Sequence, residues 1–594
     1  MSEKNSARRS VDICLKAIVL LFVALLFACG SSATATPQAA APTSAPTSAP
    51  STGGSAAPTA RPQATEAPPA KAVPSGTLSI GYKDTRGFEF HPSLVGANAS
   101  FVLGTLGERT IILNQDAGYE PRIIREWSTS PDGTVWTFNV QKGVQFNQGY
   151  GEVTAEDIIW SYGWASKDGS RNAWGAHMAR LWGIEEGRTK QLDDYTIEVN
   201  TGVPYFDMLN VMAFPQFSVY SKKLADELGE EAIDEFSAKG VGTGPWQLGE
   251  IKLQEKWTLE AVDPHWRKTP DFAELVYWHM PEESTRLANF QVGKLDTFDM
   301  SHDSIPVVEK IPGTKFMRSF GKAEKNLNFF GNLYVGWGTP EHKEMSPAYD
   351  PSKPYISSSP DPDSEEWKKA AKVRRAMSIA IDRQDIVDNL LRGEGRAEML
   401  PHWEFHLDKL PSELTTIVYN PEEARQLLTE AGYPDGFDVT MITGQGNQED
   451  VNEAIAAMWE QIGISTRLEA PPYASFRPQL LARSLPMIYT HAGVPPDPLN
   501  NWSAHFRRAS GYSLGMDHPI LEEGMKKAMS IVDEKERFAL MVELAQFVHD
   551  STLVIGIYST NIVWPLGPRV DSWVEHIEFV SSIMADSTEW ARHR

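Results

Sequence analysis

The chain contains two cysteines, Cys14 and Cys29, and both precede a long low-complexity stretch. Whatever folds after that stretch must do so without disulfides, thiolate metal sites or cysteine nucleophiles. The stretch itself, from Ser31 to about Ser75, is mostly Ala, Thr, Ser and Pro with almost no large apolar residue. It cannot bury enough surface to offset chain entropy and reads as a disordered, partly extended spacer. Folded structure is expected to begin near Gly76, where Thr77-Leu78-Ser79-Ile80 alternates like a strand. A chain of 594 residues is too long for one hydrophobic core, so the body should divide into two or more lobes.

The first segment speaks to compartment. Lys4, Arg8, Arg9 and Lys16 precede an apolar run from Ala17 to Phe27. That run is shorter than the ~20 residues a spanning helix needs and has the layout of a secretory signal. Leu26-Phe27-Ala28-Cys29-Gly30 then resembles a bacterial lipobox, in which Cys29 is acylated and becomes the mature N-terminus. The alternative is a plain signal peptide cleaved near Ala28. An acyl anchor followed by a spacer would hold a globular body away from a membrane, outside the cytoplasm. Net charge is -23, and removing the leader, with four basic and two acidic residues, leaves -25. Such a surface argues against nucleic-acid binding, which requires basic patches to neutralise phosphates.

Within the body, Pro131-Asp132-Gly133 is a turn, after which Trp136, Phe138 and Val140 fall on one face of a strand. Thr154 and Asp157 have capping-box spacing and predict a helix through Ile158, Ile159 and Tyr162. Asp193-Asp194 is a second turn, leading into Tyr195, Ile197 and Val199. Asp363 and Glu366 are expected to cap a helix with Ala370, Val373, Met377 and Ala380 on its apolar face. Asn420, Pro421 and Glu423 start another that stops at Gly432. A strand over Phe437–Met441, a helix carrying Val451, Ile455, Met458, Trp459 and Ile462, and a strand over Ile464–Leu468 together predict a parallel crossover.

Several of these segments match one family in order. Ser130-Pro131-Asp132-Gly133, Trp136-Thr137-Phe138, Lys142-Gly143-Val144 and Thr154-Ala155-Glu156-Asp157-Ile158 resemble the turn, strand and helix start of the family 5 extracellular solute-binding proteins. Those are the dipeptide, oligopeptide and nickel-chelate receptors of ATP-binding-cassette importers. Val241-Gly242-Thr243-Gly244-Pro245-Trp246 resembles their Gly-Thr-Gly-Pro-Tyr motif, and Asp263 to Trp266 and Arg286–Gly293 also match in order. Val373-Arg374-Arg375-Ala376-Met377-Ser378 with Ile381-Asp382-Arg383, and Tyr419 to Ala424 through Ala431-Gly432-Tyr433, are similar to two family helices.

The resemblance implies an α/β, two-lobed periplasmic-binding-protein type II (Venus-flytrap) fold with an enlarged first lobe. Residues 1–28 would be the signal peptide and 29–75 the linker. Lobe I would hold 76–325 plus 561–594, with an inserted α/β subdomain near 105–240, and lobe II 326–560. Crossings are expected near Asn326–Asn332 and Gly556–Asn561. A monomer would close on a small-molecule, peptide or oligosaccharide ligand and deliver it to the transmembrane permease subunits, with no catalysis and no cofactor. The alternatives are an extracytoplasmic ligand sensor and a secreted serine hydrolase.

In the dipeptide receptors an aspartate three residues before an Asp-Pro pair binds the peptide amine. Asp497-Pro498 is the matching pair here, and Val494 occupies the amine position. The nickel-chelate receptors place aromatic residues where this chain has Ala492 and Pro496. Neither substrate transfers directly. The ligand-binding candidates are Trp403 and Trp502, which flank the segments the family places toward the cleft, and His491, with Asp497 carried over from the matching pair.

Other motifs weigh less. Gly511-Tyr512-Ser513-Leu514-Gly515 fits a hydrolase elbow, but the strand before and helix after that it requires are not indicated. His402 and His406, four apart around Glu404, could reach one metal from a helix, yet Pro401 points to a loop with exposed histidines, so no metal site is assigned. Gly444-Gln445-Gly446 lacks the lysine of a phosphate loop and reads as a turn. Of the 18 tryptophans, Trp160, Trp164, Trp174 and Trp182 lie close together in sequence, and most are expected to be core residues.

Overall fold

The computed structural model describes the chain from Val73 to Arg594, apart from 86–88, 96–99, 114–117, 173, 206–207, 330–333, 336–343, 346–349, 351, 358, 444–448, 473–474, 477, 480–484, 486–487, 494–497, 500–501, 503–505, 507–515, 517 and 574–586. The leader, the spacer and Cys29 therefore lie outside the described residues, as do Val494, Pro496, Asp497, the Gly511–Gly515 motif and Gly444-Gln445-Gly446. Residues Lys71–Arg594 form one compact unit.

In the first half the main strands are β1 (Thr77–Tyr82), β2 (Ile124–Thr129), β3 (Val135–Val140), β4 (Thr189–Asp193) and β5 (Thr196–Asn200). They are followed by β6 (Trp246–Lys252), β7 (Lys256–Ala261), β8 (Glu274–His279) and β9 (Thr297–Phe298). The second half supplies β10 (Lys315–Phe329), β11 (Gly395–Ala397), β12 (Phe437–Ile442), β13 (Ile464–Glu469), β14 (Ile488–Gly493) and β15 (Val554–Leu566). The helices used below are α1 (Ala155–Ser166), α2 (Glu365–Ile379), α3 (Pro421–Glu430), α4 (Glu449–Glu460), α5 (Pro519–Ser530) and α6 (Glu534–Ser551).

Three sheets organise these strands. One has the order β6-β7-β8-β1-β9, with β1 parallel to both neighbours and β6-β7-β8 an antiparallel meander. A four-stranded antiparallel sheet, β2-β3-β5-β4, lies between β1 and β6 in sequence and packs with α1. The largest has the order β11-β15-β10-β14-β12-β13. There β12 runs parallel to β13 and β14, and β10 runs antiparallel to β15 and β14.

Local chemistry accounts for most element boundaries. Trp136, Phe138 and Val140 alternate into the core while their neighbours remain half-exposed, as a one-sided strand requires. The Asp157 carboxylate accepts the backbone N–H and the hydroxyl of Thr154, fixing the start of α1. Helix α3 has Pro421 at its first position, and Asn420 accepts the Glu423 N–H. It is followed by Gly432 at φ +85°. The β12-α4-β13 unit is the expected parallel crossover, with Val451, Ile455 and Trp459 buried and the Trp459 indole donating to Met377 O at 2.9 Å. At α2 the expectation was one residue off. The cap is Ser364, whose hydroxyl oxygen accepts the Trp367 N–H, and Asp363 lies outside the helix.

The Val241–Trp246 motif shows why glycine is needed there. The Gly244 N–H donates to Leu106 O at 2.8 Å, and the Glu108 N–H donates to the Thr243 hydroxyl at 3.0 Å. A Cβ on Gly242 would sit 1.9 Å from Leu106 O, and one on Gly244 2.3 Å from Thr105 O. Trp246 then donates its indole N–H to the Thr588 hydroxyl, and Arg267 bridges buried Glu108 and Glu589. The Arg569 guanidinium grips both oxygens of Asp296, beside β9, at 2.7 and 2.9 Å. The chain beyond β15 is thereby fastened to the first sheet and its surroundings.

Alanine at Gly242 meets backbone, which cannot move aside as a flexible side chain would. Gly242→Ala is expected to cost about 3 kcal/mol in urea unfolding, at the upper end of overpacking penalties. Gly163→Ala is the control. It sits within α1, where a Cβ finds its nearest neighbour at an ordinary 3.6 Å, and should stabilise by about 0.5–1 kcal/mol.

Candidate functional site

The pairing of β10 with β15 brings distant parts of the sequence to one place. Glu324 lies opposite Ser559, Lys325 opposite Tyr558 and Asn326 opposite Gly556. On the other edge of β10, Asn326 pairs with His491, which sets the His491 backbone beside these residues. On the far side of β15, Arg396 lies opposite Ser559. Strand alternation sends Glu324, Asn326 and Asn328 to one face of the sheet and Lys325, Leu327 and Phe329 to the other. All six are buried.

The segment after β11 folds back over the first face. The Glu398 N–H donates to Ile557 O at 3.0 Å. Gly556 permits this close approach, since a Cβ there would lie 3.1 Å from Glu398 O and Met399 O. The Arg383 Nε donates to both Glu398 O and Gly556 O, at 2.9 and 2.7 Å, tying the segment to β15. His402 follows at φ +72°, a left-handed conformation uncommon for a residue with a side chain. It is held there by Glu324, whose carboxyl oxygens accept the His402 N–H at 2.9 and 3.0 Å.

Electrostatics on this face are dominated by burial. The Nδ1 of His402 is 2.8 Å from Glu324 Oε2, a distance that fits an ion pair. Burial, however, pushes His402 down to about 3 and holds Glu324 well above the usual carboxylate range. Burial thus biases both groups toward their neutral forms. The Glu404 carboxylate accepts the Ser559 hydroxyl at 2.8 Å and pairs with Arg396 through the same oxygen, Oε2. Glu398, 2% exposed, is likewise held well above the usual range, first by burial and then by the nearby Glu324 and Glu404 carboxyls. On the opposite face, burial brings Lys325 down to about 7, with Asp450 acting against it.

The structure brings two of the candidate residues into contact. Trp403 follows His402, and its ring meets Trp502 edge-on at 5.6 Å, with Phe538 at 5.9 Å. Trp502 in turn meets Phe506 at 5.7 Å. Both indoles are 0% exposed, so a solute reaches them only if their surroundings part. His491 is near through its backbone, and Asp497 lies outside the described residues.

One expectation is corrected. His402 is buried against Glu324 and is not an exposed loop histidine, while His406 is half-buried in the turn Glu404–Lys409. Among the described residues no group of three or more His, Cys, Asp or Glu is placed to hold a metal ion. Of the tryptophans near α1, Trp182 is fully buried and stacks on Phe138, while Trp160, Trp164 and Trp174 are half-buried. No helix among the described residues is long and apolar enough to cross a membrane.

The sequence reading missed Glu324, Glu398, Glu404, Arg396 and Ser559. A signal was present in Glu324-Lys325-Asn326-Leu327-Asn328-Phe329, where polar residues alternate with Leu and Phe. That pattern marks a strand with a polar, buried face when both sides are covered.

The family model described as bacterial extracellular solute-binding proteins, family 5 Middle, matches residues 118–513. Heme-binding protein A of Haemophilus influenzae is 23% identical over 483 residues, covering 77% of this chain and 82% of that protein. The dipeptide-binding protein of Escherichia coli is 22% identical over 502 residues, covering 78% and 86%. Among solved structures, the periplasmic binding protein DppA from Helicobacter pylori in complex with peptide STSA superposes with a TM-score of 0.65 at 19% identity, covering 87% of this chain and 98% of that one. The substrate-binding protein CtaP from Listeria monocytogenes superposes with a TM-score of 0.69 at 16% identity, covering 88% and 100%. The fold is thus the expected two-lobed α/β fold.

Because Trp403 and Trp502 touch and are enclosed, Trp403→Ala and Trp502→Ala should each cost about 3–5 kcal/mol in urea unfolding. The double variant should cost less than the sum by about 0.5–3 kcal/mol. Strict additivity would show that the two rings are not packed together.

Proposed function

Because the chain belongs to the bacterial extracellular solute-binding proteins of family 5, we propose that it is the substrate-binding component of an ATP-binding-cassette importer. It captures a solute between two lobes and delivers it to membrane permease subunits. The observation that carries this reading is the family match over residues 118–513, which spans both the four-stranded sheet and most of the sheet containing β10. Relatives named for dipeptides, oligopeptides, nickel and heme support a small or peptide-sized solute.

In this reading lobe I comprises 76–325 plus 561–594, with its subdomain near 105–240, and lobe II comprises 326–560. The crossings lie in β10 and β15. The pairing register of those strands shifts between Ser319 and Ala323, which supports a flexing point there. Trp403, His491, Trp502 and Asp497 face the solute when the lobes part, and aromatic faces at two of these positions suit peptides or sugars. The protein acts as a monomer outside the cytoplasm. The lipobox-like Leu26–Gly30 supports anchoring through Cys29.

The test is thermal and denaturant stabilisation of the purified protein by peptides, oligosaccharides, nickel chelates and heme. A true solute at about 100 times its dissociation constant adds roughly 2.7 kcal/mol to unfolding. Small-angle scattering should show a monomer that contracts with the same solute. Stabilisation without contraction would sink closure around the ligand, and no response to any of these classes would sink the proposed solute range.

A further inference from the structure

Solute capture as proposed above assigns no role to a polar junction beside the crossing strands. The pairing of β10 with β15 is interrupted there: Ser319 lies opposite Ile562 and Ala323 opposite Thr560, so Asn561 falls between rungs of the ladder. Its backbone groups are met from elsewhere. The Asn561 N–H donates to Glu394 O at 3.1 Å, and Asn561 O accepts from His302 Nε2 at 3.0 Å. Its side-chain amide donates to Glu394 Oε2 at 3.0 Å, while Glu394 Oε1 accepts from Arg318 Nε of β10 at 2.8 Å. Burial acts against the Glu394 charge, but these donors outweigh it and hold the carboxyl below its usual range. Glu394 is therefore an anion that bridges both crossing strands at the interruption.

The same turn reaches further. Glu394 directly precedes β11, and Arg392 and Gly393 before it have φ of +57° and +78°. These two left-handed residues reverse the chain after the helical segment ending at Leu390, and Arg392 then meets Asp303 at 2.8 Å. Asp303 belongs to the turn His302–Ser304, which follows β9 of the first sheet. The Arg392–Asp303 pair thus joins the first sheet to the largest one without passing through either crossing strand.

A ladder accommodates a change of angle by bending, whereas a pair set to one side of it must lengthen or break. A contact present in one arrangement and absent from another biases the equilibrium between them by its own free energy. We propose that the Arg392–Glu394 turn is a strut across the crossing, whose ion pair with Asp303 holds the two sheets at one angle and whose breakage shifts the balance between open and closed lobes. The strut rests on the proposed function in one respect, that the lobes change angle at all. Arg392 is 48% exposed and Asp303 71%, so salt screens the pair. An exposed pair supplies a bias of up to roughly fivefold. That tunes the balance without fixing it, as a protein that must open and close requires.

The experiment reads the angle directly. With Cys14→Ser and Cys29→Ser the full chain has no other thiol, so spin labels go only to Glu260→Cys on β7 and Glu453→Cys on α4, both exposed positions. Pulsed electron resonance then gives the distance between the two sheets. Arg392→Glu and Asp303→Arg each place like charges together, and their combination restores a pair of reversed polarity. Both side chains lie outside the core, so each variant should fold. Each single variant should change the ratio of distance populations by up to roughly fivefold, and the combination should return it to the original value. Raising salt from about 0.01 to 1 M should bring the single variants and the unmodified protein together. Glu394→Gln, which loses the charge facing Arg318, should shift the ratio in the same direction as the single variants. Unchanged distances in the single variants, or a combination that fails to restore them, would overturn the strut. The two readings fail separately. Distances that respond to Arg392→Glu but to no solute would sink solute-driven closure and support the strut, whereas closure with a solute at the same distances in every variant would sink the strut alone.

Discussion

The antiparallel pairing of β10 with β15 is the contact on which the rest of the second half depends. Its partners come from opposite ends of that half, yet the entropic cost of closing so long a loop grows only logarithmically with length. The gain is a central pair of strands onto which β11 and β14 add on either side. The same pairing carries the chain toward the first sheet, where Lys315 lies opposite Leu566 and Gly567 donates to Asp296 O. One ladder thus supplies the middle of one sheet and the route back to another.

Such a ladder is buried on both faces, and polar residues on it need partners from elsewhere. The solution differs by charge. Fully buried cations are placed against backbone carbonyls: Arg383 donates to Glu398 O, Gly556 O and Ser378 O, and Arg374 to Ser551 O and Tyr355 O. Carbonyls are numerous at helix ends and strand edges; Arg374 lies in the C-terminal half of α2 and Arg383 just after its end. Buried carboxyls have fewer available donors. Glu404 is served by Ser559 and Arg396 and Glu324 by the His402 amide, while among the described residues no donor reaches the Glu398 oxygens, and burial holds that carboxyl well above the usual range. The left-handed backbone at His402 belongs to the same accounting. A strained residue persists where its surroundings over-determine it, and here both oxygens of one carboxyl fix its N–H.

Features controlled by neighbours in sequence were legible before the structure. The β12-α4-β13 crossover, the Asn420 cap and the alternating Trp136, Phe138 and Val140 all follow from local periodicity or capping chemistry. The α2 cap moved by one residue because Asp363, Ser364 and Glu366 all suit that role, and only geometry chooses among them. The error at His402 has a different origin. Pro401 correctly indicated a non-helical segment, but exposure does not follow when that segment is folded over a sheet by contacts from Arg383 and from Glu324, the latter far away in sequence. The carboxyl cluster was invisible for the same reason, since its members come from three strands and a turn.

This division explains why the family could be recognised so readily while its solute could not. The motifs that carry the resemblance are those where backbone geometry restricts the residue. Gly242 and Gly244 face the backbone of Thr105 and Leu106, Asp157 and Asn420 satisfy helix-end amides, and Gly432 follows a helix at positive φ. Each does the same job whatever occupies the cleft, so each says much about fold and little about ligand. Solute chemistry is free to vary at positions that make none of these scaffold contacts.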